Sequence, residues 1–182
     1  MTIHGEHPFL PPESERSPVR RLRGRLPAGV TLWTSQHAGR RSGLPVSSML
    51  VADGEPGLVL ALLDPDSELW ETASRSRTVA VSLLGWADRA LSDAFAGTAP
   101  APGGPFRLAE WRDTDWGPVL ESTSVFAGCR LLDSQPRAVG WALLVEAEIE
   151  QVEIGGGDIG GVGGSEQTGD ALIHHRGRYH RL

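Results

Sequence analysis

Four groups of residues have types and spacings that invite chemistry. Ser47 and Ser48, in LPVSSML, stand at the end of an apolar run, and Ser67 follows Leu63, Asp64 and Pro65. Serines so placed offer hydroxyl and main-chain donors to a phosphate or a planar heterocycle, although the same positions also serve ordinary turns. His174, His175 and His180 gather near the C-terminus, with His4 and His7 at the other end. Neighbouring histidines on a strand point to opposite faces, and no carboxylates at ligand spacing accompany them, so no metal site is predicted. Gly155, Gly157 and Gly160 formally match the dinucleotide fingerprint. That fingerprint needs a helix to open at its third glycine, and GVGGSEQTGD cannot start one, so a flexible surface loop is expected. Cys129 lies in an apolar run and reads as a buried structural thiol. No G-x-S-x-G is present, so no protein nucleophile or catalytic dyad is predicted.

The elements that must position these residues are mostly strands. Residues 1–15 read as an N-terminal arm and 16–182 as one domain, with 155–169 as its glycine-rich loop. Ser17-Pro18 opens a helix whose Val19, Leu22 and Leu26 share a face, with Arg20, Arg21, Arg23 and Arg25 on the rest. VTLWTS (30–35), the turn-like HAGRRSG (37–43) and LPVSSMLVA (44–52) predict a hairpin. LVLALL (58–63) suits a strand covered on both faces. Asp66 or Ser67 caps a helix over 68–76, and TVAVSLL (78–84) is the next strand. Ala87, Ala90, Leu91, Ala94 and Phe95 predict a helix ended by Gly97. FRLAEWRDTDWGPVL reads as a connection, VFAGCRLL (125–132) as a strand. The longest strand is WALLVEAEIEQVEI (141–154), with Val145, Ala147 and Ile149 on its dry face and a bulge near Gln151. Strands that do not alternate with helices point to a mainly β fold, an antiparallel barrel with a few short flanking helices.

Composition agrees with an ordinary globular chain. Of 182 residues, 40% are hydrophobic and 22% charged, with a net charge of −6, so a nucleic-acid partner is not expected. All the positive charge is arginine, because the chain contains no lysine. One cysteine rules out an intrachain disulfide. The N-terminus lacks a signal-peptide pattern and no run reaches membrane-spanning length, so a cytoplasmic location without membrane contact is expected.

Taken in order, RLPAGVTLWTS, GLPVSSML, EPGLVLALLDPDSELWETA, TVAVSLL with a helix ending in DAFAG, WGPVLESTSVFAGCRLL and ALIHHRGRYHRL resemble the flavin-reductase-like FMN-binding split-barrel family. The resemblance covers roughly residues 22 to 182. It implies a Greek-key split barrel and a homodimer with two flavins near the subunit interface. It implies that Val46, Ser47 and Ser48 line the isoalloxazine. Leu63, Asp64 and Ser67 would help hold the ribityl chain and phosphate, with Ser82 and Leu83 under the cofactor. His175, Arg178 and Tyr179 match the terminal segment on the nicotinamide side, and Arg40 or Arg41 would suit the phosphate. The cofactors implied are FMN, with FAD as an alternative, and NAD(P)H as hydride donor. The flavin carries the hydride chemistry, so missing catalytic motifs are expected.

Two positions depart from the family pattern. Asp88 stands where a glutamine is usual, and Val139 and Gly140 stand where reductases often carry an Asp-His pair, with Trp141 able to cover the flavin instead. Two functions follow. The first is an NAD(P)H-dependent flavin reductase that passes reduced flavin to a partner monooxygenase or a soluble acceptor. The alternative is a flavin-binding module without reductase activity, acting as a carrier or interaction domain.

Overall fold

The computed structural model describes residues 17–155 and 170–182. The N-terminal arm, His4, His7 and nearly all of the glycine-rich loop lie outside these residues. The first helix, α1 (Pro18–Gly24), begins as its sequence predicts, with the Ser17 hydroxyl accepting from the Arg20 amide at 3.2 Å. Its apolar residues are not packed away, however: Val19, Leu22 and Leu26 are all exposed.

After a short β1 (Ala28–Gly29), β2 (Thr31–His37) and β3 (Arg40–Val46) form a hairpin. The turn is tighter than expected. It needs only Ala38 and Gly39, both at positive φ, so the arginines already belong to β3. LPVSSMLVA is not one strand. It breaks at Ser47-Ser48, and β4 (Met49–Ala52) pairs instead with β5 (Leu58–Leu63). Next come α2 (Glu68–Ser76), β6 (Thr78–Leu83), a 3-10 turn (Trp86–Asp88) and α3 (Arg89–Phe95). The tryptophan-rich connection contains its own hairpin, β7 (Trp111–Thr114) and β8 (Gly117–Leu120). Then follow β9 (Val125–Leu131), β10 (Arg137–Val139) and β11 (Ala142–Ile154). The closing segment is a hairpin, β12 (Leu172–His175) and β13 (Arg178–Arg181), that pairs with β1.

The main sheet runs β3-β2-β6-β9-β11-β5-β4, with β10 on the side of β11, and every pairing in it is antiparallel. Its two outermost strands, β3 and β4, are joined by only Ser47 and Ser48. Three residue steps span at most about 11 Å, so the free edges must meet at this corner. The sheet is therefore curled into a split barrel. The predicted bulge is present, as a register shift against β9 between Ile149 and Gln151.

The concave face holds Trp33, Val46, Val59, Leu63, Val81 and Val145, and α2 closes it with Leu69 and Ala73. A second core lies on the outer face, where Leu32, Leu84 and Leu172 pack with Leu91 and Phe95 of α3. Beside it Trp116 lies flat against Gly128, where a Cβ would sit 2.2 Å from the ring. LVLALL is covered on one face only: Val59, Ala61 and Leu63 are buried, whereas Leu62 is exposed.

Candidate functional site

Val46, Ser47, Ser48 and Leu83, four of the predicted residues, lie at the split. Val46 ends β3 opposite Thr31, and Thr31 in turn faces Leu83 at the end of β6. Thr31 holds the corner. Its hydroxyl donates to the Val46 carbonyl at 2.9 Å and accepts the Trp33 indole N–H at 3.1 Å. In the sequence Thr31 carries no sign of this role beyond its place opening a β-branched strand. Leu83 is 44% exposed there, and its carbonyl is fixed by the Thr123 hydroxyl at 2.9 Å.

Across the two-residue link, Ser48 is fastened to β5. Its hydroxyl donates to the Leu62 carbonyl at 2.9 Å and accepts from the Leu62 amide at 3.3 Å. Ser47 is exposed beside it. The loop after Leu63 is set by its own side chains. Asp64 Oδ1 accepts from the Asp66 amide at 2.9 Å, and the Ser67 hydroxyl donates to the Asp64 carbonyl at 2.7 Å. Of the two predicted caps Ser67 is the one used, accepting from the Trp70 amide at 3.2 Å. Its hydroxyl is thus occupied on both sides.

Ser82 sits differently from Leu83. It pairs with Leu32 and Phe126, so it faces the outer core rather than the split. It is buried, and its hydroxyl has no partner. Arg40 and Arg41 are also placed elsewhere. Arg40 pairs with Glu71 and Glu68, Arg41 with both oxygens of Asp113. Arg41 is about 17 Å of strand away from Val46.

The terminal hairpin divides its residues between two faces. Leu172, His174 and Tyr179 turn inward, and the Tyr179 hydroxyl meets the Ser92 hydroxyl at 2.8 Å. Burial raises the Tyr179 phenol above its ordinary range. Burial, helped by Arg23, His175 and His180, lowers His174 below the usual imidazole value. His175, Arg178 and His180 share the other face. The hairpin tip is tied to the end of α1 by the Arg176 amide, which donates to the Gly24 carbonyl at 2.7 Å. No local pattern in the sequence marks this junction.

The two departures have structural roles. Asp88 accepts from the Gly85 amide at 2.9 Å and so closes the 3-10 turn. Gly140, at φ +58°, and Trp141 form the two-residue turn between β10 and β11, and Trp141 is fully exposed. Cys129 is buried, with its thiol pushed up to about 12 by burial and then by Glu150, so it is inert. Among the described residues no cluster of His, Cys, Asp or Glu could hold a metal ion. No helix among them is long and apolar enough to cross a membrane.

The barrel, its split and its terminal hairpin coincide with a known family. The profile of the flavin reductase like domain matches residues 23–182. The chain belongs to this flavin reductase-like family. An FMN reductase (NADH) RutF of Ancylobacter novellus is 28% identical over 172 residues, covering 94% of this chain and 87% of the relative. An NADPH-flavin oxidoreductase of Streptomyces viridifaciens is 28% identical over 175 residues, covering 89% and 80%. Among solved structures, native flavin reductase PheA2 superposes with a TM-score of 0.75 at 22% identity, over 90% of this chain and 95% of that one. At that identity the superposition establishes the fold. The flavin reductase-like fold accounts for the mainly β, antiparallel architecture expected from the sequence.

Proposed function

We propose that this chain is an NAD(P)H-dependent flavin reductase that binds FMN, or FAD, at the split of the barrel. The observation that carries the reading is the junction of the two sheet edges at Ser47-Ser48, within a family match that spans 23–182. The residues there fit a flavin. Leu83 offers an exposed apolar surface for a planar ring, with Val46 buried behind it, and Ser47 is open to solvent, its hydroxyl without a partner among the described residues. When bound, the flavin supplies the hydride acceptor, so no protein acid–base pair is needed.

The chain's own part is positional. Thr31, Thr123 and Ser48 fix the main chain on three sides of the split, so donors facing a ring would not have to reorganise. The Asp64–Ser67 loop carries two carboxylates and an already occupied serine hydroxyl, which suits ribityl hydroxyls better than a dianionic phosphate. Arg40 and Arg41 are committed elsewhere and take no part. His175 and Arg178, on the open face of the terminal hairpin, serve the nicotinamide side, and Tyr179 steadies that hairpin from beneath.

We also infer a homodimer. Leu50, Leu60, Leu62 and Leu144 lie on one outward face of β4, β5 and β11, with Leu50 69% and Leu62 41% exposed. Trp141 projects from the β10–β11 turn at the same end of β11, so a partner subunit would cover an apolar patch bordered by Glu146, which stands opposite Leu60. Reduced flavin would pass to a partner monooxygenase or a soluble acceptor. We place the protein in the cytoplasm, where reduced nicotinamide nucleotides are made.

A second reading has one observation in its favour. Val139 and Gly140 put no titratable side chain at the entry to β11, which suits a flavin-binding module without hydride transfer. Anaerobic mixing of the protein with FMN and NADH or NADPH decides between them. Bleaching of the flavin absorbance is expected; binding without bleaching by either nucleotide would leave the module, and no flavin binding would remove both readings.

A further inference from the structure

A buried chain of hydrogen bonds ends at the split. Trp33 is fully buried, and its indole N–H donates to the Thr31 hydroxyl at 3.1 Å. That hydroxyl donates in turn to the Val46 carbonyl at 2.9 Å. All three residues are buried, and Thr31 and Trp33 stand two apart on one face of β2. Accepting the indole proton polarises the hydroxyl and strengthens its own donation. The Val46 carbonyl is thereby held towards β2.

The consequence falls on the next residue. The Val46–Ser47 peptide is trans, so the Ser47 N–H points opposite to the Val46 carbonyl. β3 is the outermost strand of the sheet, so away from β2 means towards its free edge, which at this corner is the split. The Ser47 amide has no main-chain partner among the described residues. Pro45, whose main chain faces the same edge earlier in the strand, has no N–H to offer. A side chain on β2 thus sets the direction of a donor at the end of β3.

We infer that Thr31 is a positioning residue for redox balance: by fixing the Val46–Ser47 peptide, it makes the split hold reduced flavin more tightly relative to oxidised flavin. The inference rests on the flavin-binding reading of the split. A ring that has accepted a hydride carries a negative charge that the oxidised ring lacks. A main-chain donor facing it forms a neutral hydrogen bond in one state and a charge-assisted bond, roughly twice as strong, in the other. A donor already in place gains that difference without turning a peptide. Thr31 itself has nothing left to offer the ring, since its one hydroxyl proton is given to Val46.

The experiment compares the midpoint potential of protein-bound FMN with that of free FMN, in the wild type and in Thr31→Val. The valine keeps the shape and removes the hydroxyl. Its bound potential should fall by about 30 mV, which for two electrons is a tenfold change in the ratio of the two affinities. Thr31→Ser keeps the hydroxyl and should restore the wild-type value. Ser47→Pro deletes the amide itself, after an extended residue that tolerates a following proline, and should give a shift of the same sign and size. Ser47→Ala keeps the amide and should give a smaller one. A purely structural Thr31 would weaken both redox states alike and leave the potential where it was. An unchanged potential in Thr31→Val, with FMN still bound, would therefore overturn the inference and leave the flavin site standing. A shift in Thr31→Val that Ser47→Pro does not reproduce would overturn it too, because the effect would not pass through that amide. Should Thr31→Val fail to fold, Trp33→Phe, which removes the polarising N–H, must lower the potential by a smaller amount, and an unchanged value there overturns the inference. Wild-type protein that binds FMN in neither redox state would overturn the flavin reading and the inference together.

Discussion

Ser48 and Leu62 are joined twice, the serine hydroxyl donating to the leucine carbonyl and accepting from its amide. A side chain here does what a strand residue would do, and it does so where β4 has run out. The link between the sheet's two edges is thereby pinned to β5.

Removing that hydroxyl is expected to loosen the split. Ser48→Ala should lower stability by roughly 1 kcal/mol, since the freed groups are exposed and water replaces part of what is lost. Flavin affinity should fall with it. Ser48→Thr retains the hydroxyl and should restore both, as read by denaturant unfolding and flavin titration.

Ser82 and Leu83 are neighbours on opposite faces of β6, and they should respond in opposite ways. Ser82→Ala removes a buried hydroxyl without a partner, so stability should stay level or rise by up to about 1 kcal/mol, with flavin binding unchanged. Leu83→Asp places a charge on the proposed platform and should weaken FMN binding by at least about tenfold, with little change in unfolding midpoint. A drop in FMN affinity for Ser82→Ala would show that the serine, and not the leucine, faces the ring.

The terminal hairpin should be acid-sensitive. His174 packs between Ala28 and Tyr179 with Arg23, His175 and His180 around it, and its folded value lies below the ordinary 6.5. The stability that the neutral imidazole contributes is whole above 6.5 and is lost as pH falls through the lower folded value, because the unfolded chain takes up its proton first. Thermal unfolding followed from neutral to mildly acidic pH should show this slope. His174→Phe should flatten it.

Gly128 is required by its neighbour. A methyl group there would meet the Trp116 ring at 2.2 Å, and the indole is held by Glu150 at 2.7 Å, so it cannot easily swing aside. Gly128→Ala should cost about 2 kcal/mol and shift the tryptophan fluorescence. Pairing Gly128→Ala with Trp116→Ala should recover much of that loss.

Much of the frame could be read from the sequence because local signals and tertiary demands agreed. Ser17-Pro18 and Ser67 cap helices by contacts within three residues, and the alternation along 145–149 marks the buried face of β11 whatever lies against it. Other features could not be read locally. LPVSSMLVA looks continuous, yet Met49 takes its partner from β5 and not from β2, a choice made by the whole sheet. Trp111 to Leu120 lacks a clean alternation, and β8 is held by a distant contact, the Thr34 hydroxyl donating to the Pro118 carbonyl at 2.5 Å. The proposed site comes from a family pattern in order and spacing. The direction of Ser82 and the engagement of Arg40 and Arg41 depend on register and on partners far along the chain.

The topology also orders the birth of the molecule. The hairpins β2–β3 and β4–β5 are complete early in synthesis, adjacent in sequence yet belonging to opposite ends of the sheet. Only β11 joins them, because it alone pairs with both β9 and β5. Until residues 142–154 have left the ribosome, Ser47 and Ser48 can be no more than a tether between two unfinished halves. The split they bridge is assembled near the end of translation, and folding should be paced by that one long-range strand.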